Sequence, residues 1–193
     1  MSAIVISLVR AMDFAARKHR DHRRKGAAAE PYINHLAEVA LLVAEATQGR
    51  DHLAVLGALL HDTIEDTETT RAELATEFGA DVAALVEEVT DDKSLAKDER
   101  KRLQIETAPM KSRRAKLIKI ADKVSNLRSI IESPPADWGA ARRQEYFAWA
   151  AQVVQGCRGV SPGLEAEFDR AYERGCQVLG VSPLTFPDPC LPH

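Results

Sequence analysis

The apolar residues of this 193-residue chain recur at intervals of three and four positions rather than two. That spacing places them along one side of a helix. The chain is rich in Ala, Leu, Glu, Arg and Lys, which favour helix, and aromatic residues make up only 5%. We therefore predict an all-α fold: one compact multi-helix domain over residues 1–180, followed by an irregular, proline-rich tail over 181–193.

The pattern also predicts where the helices lie. Asn34 and Asp51 are expected to cap the starts of two helices, and Thr69 or Thr70 the start of a third that ends at Gly79. The predicted helices cover residues 3–20, 35–47, 52–65, 69–78, 80–90, 97–107, 113–131, 138–157 and 163–179.

The charge balance excludes several classes of protein. Twenty-six Lys and Arg against 29 Asp and Glu give a net charge of −3, which excludes a broadly basic nucleic-acid binder and an acidic disordered tail. No apolar run approaches the roughly 20 residues that cross a bilayer, and the chain starts without a secretory signal. Three cysteines are too few for a disulfide framework. We expect a cytoplasmic protein without a nucleic-acid or membrane partner; the oligomeric state stays open.

One apolar segment, Val55–Asp66, carries four polar side chains suited to catalysis. At about 100° per residue, His61, Asp62, Glu65 and Asp66 fall within roughly 140° of one another on a helix. The opposite side is apolar and carries Leu53, Leu56, Leu60 and Ile64. A solvated face of an amphipathic helix is the ordinary explanation of such a pattern, so this segment alone does not decide its role.

Two other segments offer further donor atoms. His35 stands at the start of an apolar helix, where a capping or packed histidine is the ordinary explanation. Asp122 lies on a strongly apolar helix, where a carboxylate needs a partner, and its neighbour Lys123 could supply one. With His61 and Asp62, these residues offer two imidazoles and two carboxylates.

A mixed nitrogen and oxygen donor set without cysteine suits Mn²⁺, Fe²⁺, Co²⁺ or Zn²⁺ better than a structural zinc site. Four protein ligands on an ion that prefers six leave room for water and a phosphate oxygen. Such a site is suited to hydrolysis. The ligand types alone leave the identity of the ion open.

The segments around these residues resemble the hydrolase domain of RelA/SpoT proteins, within the HD-domain phosphohydrolases. The likeness spans about residues 12–160 and is strongest to the stand-alone small alarmone hydrolases, which include the metazoan SpoT homologue. It rests on the pattern His35…His61-Asp62…Asp122 and on these segments in order: FAARKHR (14–20), RRK (23–25), PYINH (31–35), LLHDTIED (59–66), EEVTDD (87–92), ERKRL (99–103), KLIKIADK (116–123), NL (126–127) and EYFAWAAQVVQ (145–155).

The resemblance implies a Mn²⁺-dependent hydrolase that removes pyrophosphate from the 3′ position of guanosine 3′,5′-bis(diphosphate) and its pentaphosphate form, (p)ppGpp. GDP or GTP would remain. Glu65 or Asp66 would position and deprotonate the attacking water. No residues remain for the synthetase domain of long RelA/SpoT proteins, so we expect the chain to degrade the alarmone and not to make it. The implied metal ligands are His35, His61, Asp62 and Asp122.

The resemblance also implies how a polyanion binds to an acidic protein. Residues 17–25 hold six cations, of which Arg24 and Lys25 match the family's loop at the nucleotide pocket. Their guanidinium and ammonium groups suit a purine face and a phosphate. The other arginines of this segment (Arg17, Arg20 and Arg23) are expected to be solvated.

Further candidates for substrate contacts lie on the later helices. Asn126 lies one turn after Asp122, on the same side, and could hold the ribose. Arg142 and Tyr146 are further candidates for phosphate contacts, although aromatic residues more often serve the core. Ser125 departs from the Tyr or His that family members often have before this Asn, which affects the expected base or ribose contacts.

Two alternatives remain at this stage. One is an HD-domain phosphatase acting on another nucleotide such as NADPH, which metazoan relatives dephosphorylate. The other is a non-catalytic nucleotide sensor, against which the complete ligand set and the Glu65-Asp66 pair argue, because a binder needs no such pair.

Overall fold

The chain folds into ten α-helices and one turn of 3-10 helix (Ala108–Met110) in a computed structural model that describes residues 2–184. Within that range the one strand-type pairing is an isolated bridge between Arg23 and Pro31, so the all-α prediction is confirmed. The helices are α1 (Ser2–Lys18), α2 (Ile33–Ala46), α3 (His52–Leu60), α4 (Thr63–Asp66), α5 (Arg71–Phe78), α6 (Ala80–Val89), α7 (Lys97–Thr107), α8 (Arg113–Glu132), α9 (Ala140–Cys157) and α10 (Pro162–Leu179).

The continuous helix predicted over 52–65 is wrong, because the helix breaks at His61 and Asp62. Side chains bind carbonyls at the break: the Thr63 hydroxyl donates to the Leu60 carbonyl at 2.6 Å, and His61 Nδ1 lies 2.8 Å from the Ala58 carbonyl. The chain then restarts as the single turn α4. The angular spacing expected for an unbroken helix therefore does not describe the site residues beyond Leu60.

Three of the predicted helix boundaries are confirmed. Asp51 accepts a hydrogen bond from the Ala54 N–H, and Thr70 accepts one from Glu73. Gly79, at φ 92°, ends α5. This left-handed backbone conformation favours glycine.

The cap predicted at Asn34 is wrong. Helix α2 already begins at Ile33, and the N–H groups of Asn34 and His35 bond the carbonyls of Pro31 and Tyr32. Because the backbone of the preceding turn satisfies these donors, no side-chain cap is needed, and Asn34 is exposed.

Helix α3 lies at the centre of the molecule, where every residue from Ala54 to Leu60 is buried. It packs against α1, α2, α6 and α8. Gly57 allows the close approach of α6, since a Cβ there would lie 2.6 Å from a methyl carbon of Leu85. Because α3 is packed on several sides, the position of its C-terminal end, and with it the position of His61 and Asp62, is fixed.

Helix α8 is the second structural centre and packs against α2, α9 and α10. It brings Asp122 and Asn126 to the same region as His35 of α2. After α10, residues 181–184 have no regular structure, and the rest of the predicted irregular tail, 185–193, lies outside the described residues. The domain limits of 1–180 stay a prediction. None of the described helices is long and apolar enough to cross a membrane.

Candidate active site

Four side chains predicted as metal ligands converge from three parts of the chain: α2, the break between α3 and α4, and α8. His35 Nε2 lies 3.6 Å from Asp62 Oδ2 and 3.3 Å from Asp122 Oδ1. His61 Nε2 lies 3.1 Å and 4.0 Å from the same two atoms. Donors about 2.1 Å from one octahedral ion stand about 3.0 Å apart when adjacent and about 4.2 Å apart when opposite. The ligand atoms of His35, His61 and Asp62 all lie within 4.8 Å of one another, a spacing that one divalent ion can bridge, and Asp122 Oδ1 lies within 4.0 Å of both imidazoles.

The hydrogen bonding of His61 prepares its other nitrogen to be a ligand. The Ala58 carbonyl beside Nδ1 can only accept, so Nδ1 carries a proton, and in the neutral imidazole the lone pair is on Nε2. Nε2 is buried and has no hydrogen-bond partner among the residues that the structure describes. A buried lone pair aimed at two carboxylates is the arrangement that a cation stabilises.

The pKa shifts show the same demand for positive charge. Burial lowers the pKa of His61, but the carboxylates of Asp62 and Asp122 outweigh it and raise that pKa to about 9. Burial raises the pKa of Asp62, but His61 and His35 hold it well below its usual range. For Asp122, Lys123 and the two imidazoles likewise overcome burial and lower the pKa. A divalent cation supplies the charge that both carboxylates favour.

Asp122 divides its two oxygens between two kinds of partner. Lys123 Nζ binds Oδ2 at 2.7 Å, so the pair considered from the sequence does form. Oδ1 faces the two histidines and accepts a hydrogen bond from Asn126 Nδ2 at 2.6 Å. The ion pair and a ligand role are therefore compatible. Lys123 is buried and lies over the Trp149 ring, 4.5 Å from its centroid.

Glu65 and Asp66, the predicted catalytic pair, lie beside the metal cluster on α4. Glu65 Oε2 accepts a hydrogen bond from the Asp91 N–H at 3.1 Å, and Arg100 lies 3.9 Å from Oε1. Asp66 pairs with Lys93. Burial and the charge of Asp62 raise the pKa of Glu65, which makes its carboxylate a stronger base.

A cavity of about 720 Å³ opens over the acidic pair and brings together four of the five predicted substrate contacts. Arg24, Lys25, Asn126 and Tyr146 line it together with Glu65 and Asp66. A smaller adjoining space of about 160 Å³ is lined by His61, Asp62 and Asp122 and shares Tyr32, Glu65, Asp66 and Asn126 with the large cavity. The predicted metal ligands His61, Asp62 and Asp122 therefore lie next to the large cavity.

Arg142 is the predicted contact that the structure does not place on the cavity wall. Its guanidinium lies over the Trp138 ring, 4.5 Å from the centroid, and pairs with Asp137 at 3.3 Å. Trp138 itself lines the cavity and lies next to Tyr146. Arg142 therefore contacts a residue of the cavity wall, Trp138, but does not line the cavity itself.

The three arginines of the basic segment that were expected to be solvated, Arg17, Arg20 and Arg23, are exposed, whereas Lys18 is half-buried. Arg17 pairs with Asp13, and Arg20 pairs with Asp21. Arg23 lies at the cavity edge, where its guanidinium donates to the carbonyls of Arg20 and His22.

Several residues of the site were not predicted. The Tyr32 hydroxyl donates to Asp62 Oδ2 at 2.7 Å, and Lys93 and Asp91 hold the acidic pair. Tyr32 and Asp91 lie inside the segments PYINH and EEVTDD, so those segments carried a signal for them. The hydrogen bonds of Ser125 and Glu38 carried none, because they join residues that are 87 and 90 positions apart.

Comparison with known proteins identifies the family. The HD domain family matches residues 11–151. The chain belongs to the HD-domain family. A human protein named guanosine-3′,5′-bis(diphosphate) 3′-pyrophosphohydrolase MESH1 is 49% identical over 179 residues, which are 92% of this chain and all of the human one. The mouse protein of that name is 49% identical over 173 residues, 90% of this chain and 97% of the mouse one.

A solved structure has the same fold. It was described under the words "A metazoan ortholog of SpoT hydrolyzes ppGpp and plays a role in starvation responses". It superposes with a TM-score of 0.84 at 44% identity, over 87% of this chain and 94% of that one. The resemblance to RelA/SpoT-type HD-domain hydrolases is therefore confirmed.

Proposed function

We propose that this protein hydrolyses (p)ppGpp at the 3′ position, releasing pyrophosphate and leaving GDP or GTP. One observation carries the proposal: a cluster of two histidines and two aspartates borders Glu65 and Asp66 beneath a cavity with basic residues on its wall. The names of the human and mouse relatives, which match this chain over nearly their whole length, support the same reaction.

The proposed ligands of a divalent ion are His35, His61, Asp62 and Asp122, with Mn²⁺ as the ion that the family implies. When bound, the ion supplies Lewis-acid activation of the phosphate and of water. The spacing of the donor atoms and the buried lone pair of His61 support this assignment.

Glu65 is the proposed general base. Its carboxylate takes a proton from water, whose oxygen forms a bond to the phosphorus attached to the 3′ oxygen. The bond between that phosphorus and the 3′ oxygen breaks, and the proton held by Glu65 can pass to the 3′ oxygen as pyrophosphate leaves. The Asp91 N–H orients Glu65. Asp66 holds Lys93 at the cavity wall, where its ammonium faces the phosphates.

The proposed substrate contacts are Arg24, Lys25, Asn126 and Tyr146 on the cavity wall. The Arg24 guanidinium lies over the Tyr32 ring, 6.0 Å from its centroid. Its planar face is therefore placed where it could stack on a purine base. Arg142 acts through Trp138 in this proposal. In this proposal the substrate is a small nucleotide and the protein is cytoplasmic. Neither nucleic acid nor a membrane is a partner.

The test is to incubate the Mn²⁺-loaded protein with ppGpp and, separately, with NADPH, and to measure pyrophosphate and inorganic phosphate. We expect pyrophosphate and GDP from ppGpp, and no release from a chelator-treated sample until Mn²⁺ is restored. Inorganic phosphate from NADPH with no pyrophosphate from ppGpp would replace the proposal with a different nucleotide phosphatase. Tight ppGpp binding without turnover would replace it with a sensor.

A further inference from the structure

A chain of hydrogen bonds leads away from the ligand His35 on the side opposite its Nε2 atom. His35 Nδ1 lies 2.8 Å from Ser125 Oγ, and Ser125 Oγ donates to Glu38 Oε2 at 2.6 Å. Arg128 binds Glu38 Oε1 at 3.0 Å and reaches Glu167 of α10 at 2.7 Å. This series of hydrogen bonds therefore connects α2, α8 and α10 on the side of His35 that faces away from the proposed metal.

The chemistry of these groups fixes the direction of each bond. The Glu38 carboxylate only accepts, so the single hydroxyl proton of Ser125 points to Glu38. Ser125 can then only accept from His35, which places the imidazole proton on Nδ1. The lone pair of His35 is left on Nε2, the atom that faces Asp62 and Asp122.

Ser125 takes no part in the substrate cavity. It is 1% exposed, and it lines a second cavity of about 370 Å³ with Glu38, Ser129 and Glu132. This second cavity adjoins the substrate cavity at Arg24, Gly26 and Ser129. Ser125 stands where family members often have Tyr or His, a departure that affects the base or ribose contacts expected from the family. In this chain the position faces a metal ligand instead.

We propose that Ser125 and Glu38 are positioning residues that hold His35 with its Nε2 lone pair directed to the metal. The inference rests on the metal site of the proposed function and adds to it the residues that fix one ligand. The negative charge of Glu38, carried through Ser125, also makes the imidazole a stronger ligand.

Two substitutions test this series of hydrogen bonds in different ways. Ser125→Ala removes the acceptor for His35 Nδ1–H. Glu38→Gln reverses the chain: Arg128 only donates, so the new amide oxygen turns to Arg128 and its NH₂ group donates to Ser125. The Ser125 hydroxyl proton is then free to point at His35, which selects the tautomer with its proton on Nε2, where the metal must bind.

The measurement is the Mn²⁺ dissociation constant without substrate, from the electron paramagnetic resonance signal of free Mn²⁺. We expect both substitutions to weaken Mn²⁺ binding by about 10–100-fold. The controls Ser129→Ala and Glu132→Gln make the same chemical changes at residues that line the same cavity, and should stay within about twofold of the wild type. At saturating Mn²⁺ the kcat of Ser125→Ala should recover.

Three results would overturn the inference: unchanged Mn²⁺ affinity in both test variants, an equal loss in the controls, or a lower melting temperature of the metal-free variants without a change in Mn²⁺ affinity. The last result would make the two residues structural only. Because Mn²⁺ binding is measured without substrate, a wild type that binds Mn²⁺ and leaves ppGpp intact would reject the proposed function alone.

Discussion

At the scale of single residues, Asp122 shows how a buried carboxylate is used by two partners. Lys123 binds one oxygen, which offsets the cost of burying the charge, and the other oxygen faces the histidines. Asp62 uses a single oxygen instead: Tyr32 donates to Oδ2, which also lies near both imidazoles. Each ligand is thus held in place by a neighbour that is not itself a ligand.

Ligand and base roles predict different losses. Asp122→Ala should weaken Mn²⁺ binding at least about tenfold and abolish turnover, because an oxygen of the ligand set is gone. Glu65→Gln should keep Mn²⁺ affinity and lower kcat by about 10²–10⁴-fold, because the amide cannot take a proton. Steady-state kinetics and Mn²⁺ titration of both variants separate the roles. Near-full activity in Asp122→Ala would reject the ligand assignment.

Residue types and their order along the chain predicted which side chains meet at the candidate site, namely the four predicted ligands and the acidic pair. It could not predict Glu38, since nothing local in α2 indicates that this carboxylate meets Ser125 of α8, 87 positions away. Arg142 shows the opposite error: its charge suggested a phosphate contact, but helix α9 directs it to Trp138 and Asp137.

At the scale of elements, apolar spacing predicted the positions of the helices but not the break at His61 and Asp62. Residues on both sides of the break keep a helical pattern, and the interruption comes from side chains that bind carbonyls at the end of α3. The close contact between α9 and α10 was equally hidden. It depends on Gly175, where a Cβ would lie 1.8 Å from Phe147 Cε1.

That contact gives a stability prediction. Gly175→Ala should lower the free energy of unfolding by about 1–3 kcal/mol, because the buried Phe147 ring must move, even though alanine favours helix. The matched control is Gly163→Ala at the start of α10, where a Cβ meets no atom within 4 Å. The control should be neutral or more stable by up to about 1 kcal/mol. Urea unfolding of both variants checks this; equal effects would contradict it.

A second prediction concerns the start of α3 and its pH dependence. Asp51 caps α3 and binds Arg114 of α8 at 2.9 Å. Partial burial opposes ionisation, but the hydrogen bonds from Arg114 and Ala54 lower the pKa of Asp51. As pH falls below about 3.8, the unfolded chain takes up the proton first. The stabilisation is therefore complete above that pH and is lost as pH falls through the lower pKa of the folded state.

Asp51→Asn should thus cost stability at pH 7 and less near pH 3. Urea unfolding at both pH values, with the exposed Glu77→Gln as control, measures the difference. A cost that does not change with pH would show that the charge of Asp51 contributes nothing. Asp51→Ala, which also removes the cap, should lower the free energy of unfolding at pH 7 by about 0.5–2 kcal/mol.

At the scale of the whole molecule, the net charge of −3 averages two regions of opposite sign. The acidic metal cluster lies beneath the cavity, and five cationic residues line its wall: Arg23, Arg24, Lys25, Lys93 and Arg100. The total charge excluded a broadly basic protein but could not show this local separation, which depends on the fold.

The separation of charge predicts that cations within the basic segment, residues 17–25, differ in their contribution to substrate binding. Lys25→Glu should raise the KM for ppGpp roughly tenfold, because it reverses a charge on the cavity wall. Arg17→Glu makes the same change on the same segment, outside the cavity, and should leave KM within about twofold. The wild-type kcat/KM should fall as salt is added, since screening weakens attraction of the polyanion. Equal effects of the two substitutions would contradict a local role for Lys25.

The backbone of the segment that carries Arg24 and Lys25 is held by a hydrogen bond within the segment and by contacts with Ser133. The Arg24 N–H bonds the Glu30 carbonyl at 2.9 Å, the Ala28 N–H bonds Ser133 Oγ at 2.9 Å, and a Cβ at Gly26 would lie 2.2 Å from the Ser133 carbonyl oxygen. The backbone of this part of the cavity wall is therefore already formed in the absence of a ligand. A nucleotide that enters loses its own freedom of motion, but the protein gives up little conformational entropy in receiving it.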